Sequence, residues 1–251
     1  MNINYNPFSL KGKTIFVTGA SSGIGVGIAE ECSKMEAQVI ISGRNKARLQ
    51  ETFQSLEIGD KEHKQIIADL TNEKDIDKIV EMLPQLDGIV FNAGIIKTVT
   101  VKHISNVNIE DVFKTNIISS IQIIQRLLKL KKINKGASIV FISSIATSRA
   151  RMGNSLYSAA KGGVNSFMKV LALELASQKI TVNCIQPGFV RSNMLADGTI
   201  SQEQIDEFAK IYPMGIGEPA DISYACVYLL SNAAKWVTGS VMTVDGGGTL
   251  K

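Results

Sequence analysis

Short apolar runs rich in β-branched residues recur along the chain. Between them lie stretches whose apolar positions follow helical spacing. The strand-like runs fall at 14–17, 38–41, 64–68, 88–91, 137–142, 181–185 and 241–244. The helical stretches fall at about 23–35, 45–56, 71–83, 108–132, 155–176 and 218–230. In the longest of these, Val112, Ile117, Ile121, Ile124 and Leu128 share one side. Strands that are apolar throughout, rather than alternating, belong in a parallel sheet covered on both faces. Strand–helix alternation predicts a doubly wound α/β sheet. Ligands bind such sheets beyond the carboxyl ends of the strands, so functional residues are expected directly after strands.

Composition narrows this picture. The chain has 251 residues, 45% of them hydrophobic, with no linker-like stretch and no internal repeat, which favours one domain over 1–251. Lys+Arg 27 against Asp+Glu 23 is too even a balance for a nucleic-acid protein. Cys32, Cys184 and Cys226 are scattered, which predicts neither disulfides nor a metal site. The first residues lack the apolar core of a signal peptide, and no apolar run approaches a membrane span. A cytoplasmic protein with no membrane or nucleic-acid partner is expected.

The turn after the first strand reads Thr18-Gly-Ala-Ser-Ser-Gly-Ile-Gly25. Gly19, Gly23 and Gly25 leave bare backbone where a helix is about to begin. That allows a tight turn and close approach of a pyrophosphate to amides at the helix N-terminus. Ser21 and Ser22 offer hydroxyls, and Ile24 opens the helix. A turn with only structural duty is the alternative. The second strand ends Ser42-Gly43-Arg44, with no acid to hold a ribose 2′-hydroxyl. A guanidinium there suits a 2′-phosphate, so Arg44 predicts NADP(H) over NAD(H); a solvated arginine is the alternative. Asp69, followed by Leu70, is placed either to accept from an adenine amine or to cap the next helix. Asn92-Ala93-Gly94 is small enough to let a nucleotide lie against the sheet edge.

Ser155-Leu-Tyr157-Ser-Ala-Ala-Lys161 places Tyr157 and Lys161 on one helix face. A neighbouring ammonium favours the phenolate, so Lys161 is expected to lower the Tyr157 pKa for proton transfer. Ser144, at the end of the fifth strand, is placed to hold a substrate oxygen. Asn116 stands inside the longest helical stretch, where asparagine is mildly unfavourable. Water held near it would link Lys161 to solvent.

TGASSGIG, NAG, Asn116, Ser144 and YSAAK, in that order, resemble the short-chain dehydrogenase/reductase family. The resemblance extends over Gln186-Pro-Gly-Phe-Val-Arg-Ser192 and Thr238-Gly239 to Asp245-Gly-Gly247. It implies a single-domain Rossmann fold with a seven-stranded parallel sheet. It further implies Tyr157 as proton donor or acceptor, Lys161 on the nicotinamide ribose, Ser144 orienting the substrate oxygen and Asn116 completing a proton relay. Pro187, Gly188, the Val190 amide and Ser192 would hold the nicotinamide carboxamide. Homotetramers built on the 108–132 and 155–176 helices are also implied. Two features depart from the family pattern: Phe91 precedes Asn92-Ala93-Gly94 where an asparagine is common, and 83–87 is short, so the entry to the fourth strand is expected to be trimmed.

The closing segment is most similar to 3-oxoacyl-(acyl-carrier-protein) reductases and related sugar-acid and polyol dehydrogenases. A small-molecule carbonyl or alcohol substrate follows, with 146–154 and a lid at 193–213 expected to line its site. Lys131, Lys132, Lys135, Arg149 and Arg151 are the basic residues expected at the mouth if an acidic carrier docks. A non-catalytic nucleotide-binding regulator on the same fold is the competing class.

Overall fold

A computed structural model describes residues 5–60, 62–191, 203, 207 and 209–250. Seven strands form one sheet: β1 (Thr14–Thr18), β2 (Gln38–Gly43), β3 (Lys64–Ile67), β4 (Leu86–Phe91), β5 (Ile133–Ile142), β6 (Thr181–Pro187) and β7 (Val241–Val244). Their order is β3-β2-β1-β4-β5-β6-β7, and every pairing is parallel. The order reverses at β1 and β4, which opens a crevice beyond their carboxyl ends.

The sheet is apolar on both faces. Ile15 and Val17 of β1 pack with Ile28 and Cys32 of α1 (Ile24–Lys34) and Ile222 and Cys226 of the last helix. Phe16 points the other way, into Ile76, Ile123, Leu127 and Met168. Period-2 alternation along one short strand thus serves two cores. The outer helices are α2 (Lys46–Ser55) and α3 (Glu73–Met82). Asn45 and Asn72 cap them, each side chain accepting an amide N–H from the first turn.

The stretch expected to be one helix at 108–132 is divided. A capping box from Ser105 and Asn108 starts α4 (Asn106–Phe113), and α5 covers Ser119–Lys129. Between them Lys114–Ile118 is a π-helical turn, with Ser119 N–H bonded to the Lys114 carbonyl. The side chain of Asn116 explains the break: its Nδ2 donates to the Val112 carbonyl at 2.8 Å, a position a regular helix fills with backbone. Helices α6 (Ser155–Leu175) and α7 (Pro219–Leu230) complete the layers.

The entry to β4 is a short connection, and β4 starts two residues before the expected 88. β4 begins at Leu86, three residues past Leu83, the residue that ends α3. Lys132 closes this short connection by donating to the carbonyls of Val80, Glu81 and Leu83. Across from it, β5 starts at Ile133 rather than 137, and the β4–β5 register shifts between Leu86 and Gly88. Among the described residues no helix is long and apolar enough to cross a membrane, and no cluster of metal-ligating side chains occurs.

Candidate active site

The β1–β4 crevice is held open by backbone. Gly19 and Gly23 adopt positive φ, 66° and 57°. A Cβ on Gly19 would sit 2.7 Å from the Ala93 Cα. One on Gly25 would fall 2.3 Å from the Gly19 carbonyl oxygen and 2.5 Å from Asn92 Nδ2. Asn92 is a brace in this structure: its Nδ2 donates to the Gly19 carbonyl at 2.9 Å. Thr18 completes the lock. Its Oγ1 accepts from the amides of Asn92 and Ala93 and donates to the Val90 carbonyl. Sequence reasoning passed over Thr18, although a hydroxyl closing a buried strand was a signal.

These features fit a dinucleotide. Gly23 has no side chain to cap α1, so the first-turn amides present a positive end to the crevice. Ser21 and Ser22 are half-buried beside it, and Ile24 opens the helix. Arg44 is exposed past β2. Its charge reaches Asp69, whose carboxyl is held below the usual range chiefly by the Thr71 amide. Asp69 Oδ1 accepts both the Thr71 amide and hydroxyl, at 2.9 and 2.8 Å, so it shapes the turn before α3. Leu70 and Ala93 border a water-sized cavity of about 10 Å³ with Thr115, Asn116 and Ser119. On the far side, Gly188 N–H donates to the Val244 carbonyl, and Val190 is buried and bridged to Gly217. Pro187 ends β6 against Val244. Ser192 and most of 193–213 lie outside the described residues.

Ser144, Tyr157 and Lys161 come together at the end of β5. Ser144 caps a short 3₁₀ turn, Ile145–Thr147, with its Oγ accepting the Ala146 amide at 3.1 Å. Its hydroxyl lies close enough to the Tyr157 phenol to favour the ionised form. Lys161 is buried; its Nζ lies 5.8 Å from the Tyr157 ring centre and donates to the Ile142 carbonyl at 2.7 Å.

The electrostatics differ from expectation. Burial pushes the Tyr157 phenol above its ordinary value, against the effect of the Ser144 hydroxyl, and no effect of Lys161 offsets it. Burial likewise lowers Lys161 to about 8. A desolvated ammonium bonded to a carbonyl is a weaker source of positive charge than the one expected from the i, i+4 spacing. In the protein alone the phenol therefore keeps its proton.

Asn116 is also used differently. Its amide donates to the carbonyls of Ile95 and Val112 and accepts the Ile95 amide, at 3.0, 2.8 and 3.2 Å. The side chain ties the loop after β4 to the π turn and has no donor hydrogen left. Gly94 fits between: a Cβ there would lie 2.7 Å from Asn116 Oδ1 and 3.4 Å from Lys161 Nζ.

Beside the first turn of α6 lies an open cleft of about 490 Å³. Of the 146–154 stretch expected on the substrate side, 146–148 and 150–153 line this cleft, Arg151 included, joined by Ser155 and Ser158. Thr100 and Val101 also line it, and sequence reasoning missed them. Their segment is pinned by Val99 N–H to the Gly153 carbonyl at 2.9 Å, with Gly153 at φ 82°. The basic residues expected at the mouth divide. Lys131, Lys132 and Lys135 sit around the start of β5, at the opposite end of the sheet, where Lys132 closes α3. Arg149 donates to the Gly248 carbonyl at 2.7 Å, and only Arg151 borders the cleft.

Comparison with known proteins agrees with this geometry. A family model described as enoyl-(acyl carrier protein) reductase matches residues 19–249. A 3-oxoacyl-(acyl-carrier-protein) reductase of Rickettsia bellii (strain RML369-C) is 33% identical over 240 residues, 95% of this chain and 97% of that one. One from Aquifex aeolicus (strain VF5) is 30% identical over 244 residues, 95% and 98% of the two chains. Among solved structures, a putative 2-deoxy-d-gluconate 3-dehydrogenase from Agrobacterium tumefaciens with bound NADP superposes with a TM-score of 0.88. It is 28% identical and covers 98% of this chain and 100% of that one. A short-chain type dehydrogenase/reductase from Mycobacterium ulcerans gives 0.88 at 31% identity, over 97% and 92%. With a seven-stranded parallel sheet, a glycine-built crevice at its switch point and Ser144, Tyr157 and Lys161 gathered at its edge, the chain belongs to the short-chain dehydrogenase/reductase family, oxidoreductases that act on CH–OH groups with NAD(P).

Proposed function

We propose that this chain reduces a carbonyl to a secondary alcohol with NADPH, and that its substrate is a 3-oxoacyl thioester on an acyl carrier protein. The observation that carries the reaction type is Tyr157 beside the buried Lys161, with Nζ 5.8 Å from the ring centre, and Ser144 at the same end of β5. The relatives named for 3-oxoacyl reduction carry the substrate.

Gly19, Ser21, Ser22, Gly23, Ile24 and Gly25 would hold the pyrophosphate, and Asp69 and Leu70 the adenine. Asn92, Ala93 and Gly94 would lie against the ribose. Pro187, Gly188, Val190 and Ser192 would hold the carboxamide, with Lys161 on the nicotinamide ribose. Bound there, the cofactor supplies the hydride.

The protein supplies the proton. Tyr157 is kept neutral by burial, which suits a donor to a carbonyl oxygen as negative charge builds on it. Ser144 orients that oxygen and stabilises the charge. Asn116 serves the relay by shaping its surroundings: its side chain fixes the wall of the water-sized cavity, which has room for about one water.

Arg44 is assigned to the 2′-phosphate. A charged hydrogen bond contributes roughly 1.5–3 kcal/mol, so Arg44→Ala should raise KM for NADPH about tenfold or more and leave KM for NADH unchanged. Equal changes for both would remove Arg44 from selectivity.

A second reading has its own support. The cleft carries the hydroxyls of Thr100, Ser148, Ser155 and Ser158 with one guanidinium, a lining suited to a polyhydroxy acid. The NADP-bound structural relative is named for a gluconate. A panel of acetoacetyl thioesters, keto-sugar acids and polyols, each with NADPH and NADH, tests both. Fastest turnover of the thioester supports the first reading; turnover of sugar acids alone overturns it. A homotetramer is also proposed, from exposed Ile118, Val170 and Leu173 around α5 and α6. Light scattering that gives a monomer mass would overturn that.

A further inference from the structure

The catalytic serine stands on a turn that is itself held from behind. Thr147, three residues after Ser144, closes this turn: its Oγ1 donates to the Ser144 carbonyl at 3.1 Å. The same carbonyl accepts the Thr147 amide at 3.3 Å. With its one hydrogen committed, Thr147 Oγ1 has two acceptor positions left. Both are filled. Gln186 Nε2 donates into one at 2.6 Å, and Asn165 Nδ2 into the other at 3.4 Å.

Gln186 is the stronger of these partners and is itself fixed. It lies in β6, 7% exposed. Its Oε1 accepts the hydroxyl of Thr243, its register partner on β7, at 3.3 Å. Strands β6 and β7 therefore form a rigid backing, and Gln186 is the arm that reaches from it to the turn.

We infer that Gln186 is a positioning residue for the reaction, acting through Thr147 to set the direction in which the Ser144 hydroxyl points. The inference rests on the role given to Ser144 above. The chain of contacts explains why a side chain as costly to bury as glutamine occupies a strand directly before Pro187-Gly188. An apolar residue would fill the strand equally well but would leave Thr147 Oγ1 short of a donor. The hydroxyl would then be held from behind by Asn165 alone, at 3.4 Å, and would turn more easily from the Ser144 carbonyl. The turn would persist through its backbone bond but lose its aim. A catalytic hydroxyl a few tenths of an ångström out of place loses much of its value, because the charge it stabilises exists only in the transition state.

The test is a coupling measurement. Gln186→Leu, Ser144→Ala and the double variant are assayed with the carbonyl substrate that the panel above turns over fastest. Gln186→Leu should lower kcat/KM for that carbonyl about tenfold, the effect of one net buried hydrogen bond, with KM for NADPH within about twofold. In the Ser144→Ala background the same change should cost almost nothing, since no hydroxyl remains to aim. A second readout needs no turnover. The tyrosinate absorbance difference against Tyr157→Phe reports the ionisation of Tyr157. Ser144→Ala should move it upward, Gln186→Leu should move it the same way, and the double variant no further than Ser144→Ala.

If Gln186→Leu does not fold, Thr147→Val and Thr147→Ser carry the test, with loss in the first and retention in the second. A full Gln186→Leu penalty that persists in Ser144→Ala would overturn the inference and leave the reading of Ser144 intact. So would an unchanged kcat/KM and Tyr157 titration in Gln186→Leu. An inert Ser144→Ala would instead remove the reading of Ser144, and the inference with it.

Discussion

The two walls of the crevice are built from different materials. The wall proposed for the cofactor, from Thr18 to Gly25 and Asn92 to Gly94, is backbone closely packed and braced by Thr18 and Asn92, and a Cβ on Gly19 or Gly25 would strike the backbone facing it. The wall proposed for the substrate, the loop from Ser144 to Asn154, is secured by side chains reaching in from elsewhere. Gln186 and Asn165 hold Thr147, and Arg149 holds the Gly248 carbonyl. A backbone-built wall has one shape. A wall held by side chains can be retuned by substituting its holders, which is how one fold serves many substrates.

The largest expected effect separates chemistry from binding. Tyr157→Phe should lower kcat by roughly 10²–10⁴-fold, the usual value of a positioned proton donor. NADPH affinity, read by fluorescence titration, should change little because the cofactor wall is untouched. Carbonyl reduction that survives the change would end the assignment of Tyr157.

Next comes the cofactor wall. In Gly25→Ala the added methyl would lie 2.3 Å from the Gly19 carbonyl oxygen, a contact backbone cannot relieve without moving. Overpacking of this kind costs about 1–3 kcal/mol and should also abolish tight NADPH binding. A normal thermal midpoint with unaltered affinity would show that the wall is softer than its geometry. The substrate wall should answer less severely. Arg149→Gln removes one charged hydrogen bond to a carbonyl, so KM for the carbonyl should rise roughly tenfold while KM for NADPH stays constant. A rise in both would mean that the two walls are mechanically one.

The same contrast explains what could be read from the sequence. The cofactor wall was legible because its constraint is local: three glycines in seven residues announce a turn that side chains cannot enter. The seven strands were legible because each is a short apolar run, and Tyr157 with Lys161 because helical spacing alone puts them on one face. The substrate wall was not. Gln186 and Thr147 are 39 residues apart, and although Thr147 stands three residues after Ser144, no spacing ties Gln186 to either. Asn116 was found, but its use was not, since the π turn depends on an asparagine side chain competing with the helix for the Val112 carbonyl. Lys131, Lys132 and Lys135 were assigned to the mouth on charge alone. Their place at the amino end of β5 follows from sheet polarity, since the mouth lies at the carboxyl end.

Lys161 stands where the two walls meet, and its burial gives the smallest but most specific effect. Its folded value of about 8 lies below the ordinary 10.5, so between those limits the unfolded chain binds more protons than the folded one. Stability due to this group therefore rises with pH across that window, and the cost of burying the ammonium is fully present below it. The three cysteines oppose this. Burial raises Cys32 and Cys184 from 9.0 to about 12 and raises Cys226 well above 9.0, so their thiols favour the folded state less as pH climbs past 9. Tyr157, also raised, acts in the same direction above 10. The raw curve of stability against pH is thus a sum of opposite slopes. The difference between the wild type and Lys161→Met cancels Cys32, Cys226 and Tyr157, and leaves Cys184 shifted, because the Lys161 charge acts on that thiol. From pH 8 to 10 urea unfolding should show the wild type gaining on the variant, by an amount on the order of 2 kcal/mol. A flat difference would mean that Lys161 keeps its proton through contact with the Ile142 carbonyl, and the corner between the walls would be charged at every pH the enzyme meets.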